Sequence, residues 1–245
     1  MSALLNIAVR AARRGGDLIV RNMDRLDSLQ INTKQANDYV SEVDTLVEAD
    51  IIETVRRSYP DHAFLGEESG QHKGQAKNTD DVTWIIDPLD GTTNFLHGFP
   101  VFAVSLAVKV RGRLEHGVVY DPLRQEMFTA SRGSGAQLDG RRIRVSSRRS
   151  FDGALLGTGF PYSNMERIDQ YLAMFKSLAQ KTAGLRRPGA ASLDLAYVAA
   201  GRLDGFFELG LKPWDMAAGV LLIQEAGGLV SDFAGAAHYM DSGDI

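Results

Sequence analysis

Apolar residues recur every three to four positions at the start of the chain. Leu4, Ile7, Ala8, Ala11, Ala12, Leu18 and Ile19 fall on one side of a helical wheel, so the pattern predicts an amphipathic helix over 3–22. A second helix is predicted from about Ser41. Val47, Ile51 and Val55 stand four apart there, Glu48, Arg56 and Arg57 supply charge around them, and Tyr59-Pro60-Asp61 ends the helix. Strands then dominate. Residues 63–66 read as a short strand, and 82–86, apolar except for Thr83, suits a buried one. Segments 103–110 and 114–120 flank Arg111-Gly112-Arg113, which predicts a hairpin, and 125–130 continues the antiparallel pattern. Farther on, strands are predicted at 155–158, 206–208 and 229–231, alternating with helices at 166–181, 193–200 and 215–226. An α+β part thus gives way to an α/β part, with a soft boundary placed at 148, so that 1–148 and 149–245 share one active site. The sequence holds no internal repeat and no low-complexity segment.

Composition narrows the class. The 245 residues suffice for one large domain or two modest ones, and 44% hydrophobic with 24% charged residues is ordinary globular composition. No apolar run approaches the ~20 residues that span a bilayer, and Met1-Ser2-Ala3-Leu4-Leu5-Asn6 lacks the apolar core of a signal peptide. A cytoplasmic protein without membrane attachment is expected. The chain has no cysteine, which rules out disulfides, thiolate metal sites and a cysteine nucleophile. A net charge of −4 gives no signature of direct nucleic-acid binding. Arg141, Arg142, Arg144, Arg148 and Arg149 form a local basic run, read as a solvated face, with an anion or partner site as the alternative.

The candidate chemistry lies in Trp84-Ile85-Ile86-Asp87-Pro88-Leu89-Asp90-Gly91-Thr92-Thr93-Asn94-Phe95, where a buried strand runs into two aspartates three apart. Asp-Pro and Asp-Gly are also ordinary turn dipeptides, so this segment alone is ambiguous. Further acids stand at the ends of other elements: Glu67-Glu68 after a short strand, Asp44 at one helix start and Asp215 at another. Helix capping explains Asp44 and Asp215 equally well. If Glu67, Asp87, Asp90 and Asp215 converge, electrostatics decides. Two carboxylates ~4 Å apart repel by about 4 kcal/mol at an effective dielectric near 20, so the cluster needs cations or protons. All-oxygen ligands favour a hard ion, Mg²⁺ first, with Mn²⁺ and Ca²⁺ as competitors. A helix beginning at Gly91-Thr92-Thr93 would place an anion site beside that ion. No P-loop or EF-hand loop occurs, Leu138 breaks the dinucleotide fingerprint at Gly133-Ser134-Gly135, and the five histidines lack zinc-ligand spacing.

These residues resemble the inositol monophosphatase family. Gly66-Glu67-Glu68-Ser69, the run from Trp84 to Phe95, and Trp214-Asp215-Met216-Ala217-Ala218-Gly219 match its motifs, the middle one its most specific signature; Asp38–Ser41 with Asp44, and Glu225-Ala226-Gly227-Gly228, match weaker ones. The likeness covers essentially the whole chain and is nearest in flavour to bacterial members called SuhB-type. It implies the layered αβαβα sandwich shared with fructose-1,6-bisphosphatases. It also implies Mg²⁺-dependent hydrolysis of myo-inositol monophosphates, lithium sensitivity and a homodimer. By the resemblance, two or three Mg²⁺ would be held by Glu67, Asp87, the Leu89 carbonyl, Asp90 and Asp215. Thr92 backed by Asp44, with Glu67 nearby, would activate water. Gly91 and Thr92 amides would take the phosphate, and Asp90, Ala191 and Glu208 the substrate hydroxyls. Sugar bisphosphates or 3′-phosphonucleotides are alternative substrates, and SuhB-type relatives imply a transcription-machinery partner. Ser41 stands where the family usually has threonine, and Gly189-Ala190-Ala191 has alanine where a hydroxyl is commoner, which is expected to loosen polyol selectivity. Family members continue through another strand and helix past the position of Ile245, a part expected to trim the sheet edge rather than the metal site.

Overall fold

A computed structural model of the chain describes residues 2–28, 31–35, 38–74, 81–162 and 164–245. In chain order the elements are α1 (Ala3–Asn22), β1 (Ile31–Gln35), β2 (Asp38–Ser41), α2 (Glu42–Arg56), β3 (Ala63–Gly66), β4 (Gly70–His72), β5 (Val82–Asp90) and α3 (Thr92–Leu96). The meander β6 (Ala103–Val110), β7 (Arg113–Asp121), β8 (Glu126–Ser131), β9 (Gly135–Leu138) and β10 (Arg141–Arg142) follows. Then come β11 (Leu155–Thr158), α4 (Ile168–Ala179), β12 (Gly184–Arg186), α5 (Ala191–Ala199), β13 (Gly205–Phe207), α6 (Pro213–Glu225) and α7 (Tyr239–Ser242).

The large sheet runs β10-β9-β8-β7-β6-β5-β3-β4, antiparallel except for the β3–β5 pair. Alternation along its central strands feeds two cores. Trp84, Ile86, Leu106, Val108 and Val118 face the apolar stripes of α1 and α2, while Ile85, Ala107, Val119 and Phe128 face α5 and α6. With both faces covered, β5 carries apolar residues on both sides along Trp84–Ile86. The second core draws on residues from both sides of position 148. α5 in turn touches β11 and β13 of a three-stranded parallel sheet, β12-β11-β13, against which α4 packs through Tyr171, Phe207 and Leu209. The layers are therefore helix, sheet, helix, sheet, helix: the expected αβαβα sandwich.

Two expectations change. Residues 229–231 are not a strand; they follow the turn at Gly227, whose φ is +89°, no neighbouring strand pairs with them, and Leu229 is 98% exposed. A stretch as short as Leu229-Val230-Ser231 forms a strand only where a sheet edge is within reach. The run predicted at 82–86 continues to Asp90, and its pairing with β6 shifts on the way. Asp87 opposes Ser105 and Asp90 opposes Ala103, so β5 carries one extra residue, Pro88 lies in the irregularity, and the carboxylates are re-aimed there. Among the described residues, no helix is long and apolar enough to cross a membrane.

Candidate active site

The end of β5 supplies most of the site. Asp87 is almost wholly buried; its Oδ1 accepts the Leu89 N–H at 3.1 Å, an Asx turn that fixes the bulge. Burial first, then repulsion from Glu67, Asp90 and Asp215, raises its proton affinity well above the ordinary carboxylate range. Glu67 follows β3, the parallel neighbour of β5, and its N–H donates to the Ile86 carbonyl at 3.1 Å, so it emerges beside Asp87. Asp215 comes from the first turn of α6, where Pro213 opens the helix and Asp215 Oδ2 accepts the Lys212 N–H at 2.6 Å. It is therefore a capping acid and a member of the cluster at once. Burial, with Asp90 and Glu67 as neighbours, raises it too.

Asp90 is seated on the start of α5. Its Oδ2 accepts the Ser192 N–H at 2.7 Å and the Ser192 hydroxyl at 2.5 Å, and the amides of Ala191 and Leu193 also bond the carboxylate. Burial lifts Asp90 to about 6, with these bonds pulling the other way. Ala191 thus meets the site through its backbone. Glu208 follows β13; burial and repulsion from Asp215, Asp194 and Asp90 raise it well above normal, Arg187 opposing.

On the other side of β5, Gly91 turns the chain with φ +91° and opens α3. Thr92 Oγ1 lies 2.7 Å from Asp44 Oδ1 and 3.0 Å from the Leu89 carbonyl. Asp44 is fully buried in the first turn of α2, and its Oδ2 accepts the Ser41 N–H at 2.9 Å and the Ser41 hydroxyl at 2.5 Å. Burial raises Asp44, while the bonds from Ser41 and Thr92 hold it down. The predicted capping box is real, and the same carboxylate also engages Thr92.

Asp44, Glu67, Asp87, Leu89, Asp90, Gly91, Thr92, Ala191, Glu208 and Asp215 therefore lie in one connected region. Sequence reasoning missed Ser192, which binds Asp90, and Asp194, a 1%-exposed acid whose Oδ1 has no hydrogen-bond partner. A serine immediately before the helix predicted at 193–200 was the signal available for Ser192; Asp194 gave none. Among the described residues, no three acidic or histidine side chains stand at the spacing of a ready-made ion cage. What links Glu67, Asp87, Asp90 and Asp215 is mutual repulsion at a mostly buried place. Acids so placed bind protons or cations, and an all-oxygen set fits a hard divalent ion.

The profile of the inositol monophosphatase family matches residues 1–245. The chain is 60% identical over 247 aligned residues to the Nus factor SuhB of Pseudomonas aeruginosa, covering 100% of this chain and 91% of that protein. Among solved structures, extragenic suppressor protein suhB from Bartonella henselae superposes with a TM-score of 0.95 at 43% identity, over 99% of this chain and 92% of that one. Inositol monophosphatase from Anabaena superposes with a TM-score of 0.85 at 38% identity, over 98% and 88% of the two chains.

Proposed function

Since the chain belongs to the inositol monophosphatase family, we propose that it hydrolyses small polyol monophosphates, myo-inositol monophosphate foremost, in a Mg²⁺-dependent reaction. The observation that carries this reading is the Thr92–Asp44 pair beside the buried acids of β5. Two or three Mg²⁺ would be held by Glu67, Asp87, the Leu89 carbonyl, Asp90 and Asp215. When bound, Mg²⁺ supplies Lewis acidity, neutralising phosphate charge and making water more acidic.

The protein's own groups do the rest. Thr92 has one hydroxyl proton, and Asp44 lies within reach to accept it. A hydroxyl so committed turns a lone pair toward the site and can only accept there, which orients an attacking water and passes its proton demand to Asp44. Glu67, emerging beside Asp87, is the second group able to take a proton from that water. The leading amides of α3 at Gly91 and Thr92 face outward from the helix ladder and receive phosphate oxygens. The Asp90 and Glu208 carboxylates accept hydrogen bonds from substrate hydroxyls, and the backbone at Ala191, where α5 starts, contacts the same hydroxyls. The acids Glu208, Asp194 and Asp90 lie close together, which favours a neutral polyol over a sugar bisphosphate or 3′-phosphonucleotide whose second phosphate would be repelled. Residues 1–148 and 149–245 act as two parts sharing this site.

The test is phosphate release from inositol 1-phosphate as Mg²⁺ is titrated, with the other two substrate classes alongside. Activity should require Mg²⁺, yield to lithium and fall at least about a hundredfold in Asp90→Asn, the scale of losing one charge-stabilising group. Activity indifferent to chelator and to Asp90→Asn rules the mechanism out.

A second reading rests on the relative named as a Nus factor: a cytoplasmic, homodimeric protein that also binds the transcription machinery. Arg141, Arg142, Arg144, Arg148 and Arg149 are all exposed, and Arg148 is also engaged with Asp204 and the Asp152 carbonyl. Capture of transcription proteins that survives Asp90→Asn supports this role as separate from catalysis; no capture by wild type removes it.

A further inference from the structure

One buried acid next to the site neither holds the cation nor touches the water-activating pair. Glu48 lies one helical turn past Asp44 on α2 and is only 2% exposed. Its Oε2 accepts the Glu68 N–H and its Oε1 the Ser69 N–H, each at 2.9 Å. Both amides immediately follow Glu67, whose own N–H is held by the Ile86 carbonyl of β5. The backbone carrying Glu67 is thus gripped on one side by the strand that bears Asp87 and on the other by a carboxylate of α2. Gly66 makes the grip sterically feasible, because a Cβ there would overlap the Glu48 carboxylate.

α2 consequently presents two acids one turn apart. Asp44 engages Thr92, and Glu48 fixes the turn that aims Glu67. A carboxylate buried away from solvent is retained only where hydrogen bonds replace its water, and among the described residues these two amides supply them. We propose that Glu48 is a positioning residue: it holds Glu67 in the orientation that completes the divalent-cation site and ties that site to the water-activating pair through one rigid helix. This rests on the proposed function, in which Glu67 is a metal ligand.

The test uses the full chain with Glu48→Gln, whose amide keeps one acceptor but turns an NH₂ toward the second N–H, and Glu48→Asp, which keeps the charge but is one methylene shorter. In metal-free protein, hydrogen exchange at the Glu68 and Ser69 amides should accelerate in both variants. Calorimetric titration with Mg²⁺ alone should show a dissociation constant raised about tenfold or more, the usual scale for losing a group that orients a ligand. Saturating Mg²⁺ should bring kcat back toward wild type, a split that a merely structural defect would not give. If Glu48→Gln does not fold, Glu48→Asp decides. Unchanged Mg²⁺ affinity in a folded variant overturns the proposal while leaving the phosphatase reading intact. Unchanged exchange at Glu68 and Ser69 overturns the clamp itself. A wild-type protein that binds no Mg²⁺ overturns the phosphatase reading and this inference with it.

Discussion

Asp194 shows what single residues contribute at the site. It lies inside α5 with 1% exposure, and its Oδ1 lacks a partner. Burial first, then the neighbouring Asp90, raises its proton affinity well above normal, with Arg187 opposing. The folded chain therefore holds this proton more tightly than the unfolded chain. Stability tied to the group is present at low pH and is lost as pH rises from the ordinary carboxylate range through the raised folded-state value. Asp194→Asn should raise the melting temperature of chelator-treated protein at pH 8. The gain should shrink as pH falls toward about 4, where the unfolded-state carboxyl is half protonated; each tenfold difference in proton affinity is worth about 1.4 kcal/mol. A variant less stable than wild type at pH 8 contradicts this account of the residue. Neither Asp194 nor the Glu48 grip was legible in the sequence. An acid inside an apolar helix window looks the same whether it faces water or a neighbouring carboxylate, and only tertiary packing separates the two. Asp87 and Asp90 were legible because they end an apolar strand next to Gly91.

Elements place these residues through their ends. The irregular end of β5, the first turns of α2, α3 and α6, and the start of α5 all meet at the site. Gly91 is the joint between β5 and α3: its φ is +91°, and a Cβ would lie 2.9 Å from the Val101 carbonyl oxygen. Gly91→Ala should cost on the order of 1–3 kcal/mol in denaturant unfolding, the usual price of a side chain held at positive φ. Phosphate release should fall with it, because Thr92 shifts away from Asp44; a variant with wild-type stability and rate would show the joint to be slack. Long periodic elements were readable, so α1, α2 and α6 stand within a few residues of their predicted spans. The strands β9, β10 and β12 are Gly-Ala-Gln-Leu, Arg-Arg and Gly-Leu-Arg, with no apolar pair to mark them as β3 and β11 have, and they passed unseen. Such a pair, Leu229-Val230, made 229–231 look like a strand when it is an exposed turn-following segment.

At the scale of the whole molecule, the five layers bring an acid from residue 44 and another from residue 215 to the same strand end. The sandwich itself followed from the family resemblance more than from the pattern of elements, because layer order depends on which faces pair. Its consequence is electrostatic. Glu67, Asp87, Asp90 and Asp215 crowd one another, and Asp87 and Asp215 rise well above the ordinary range through burial and mutual repulsion. A divalent cation relieves that repulsion. Crystals soaked in Mn²⁺ measure this most directly through anomalous scattering. An anomalous peak should appear in contact with the Asp87 and Glu67 carboxylates and be lost in Asp87→Asn; a clean map at that place, or a peak indifferent to the substitution, contradicts a cation site there.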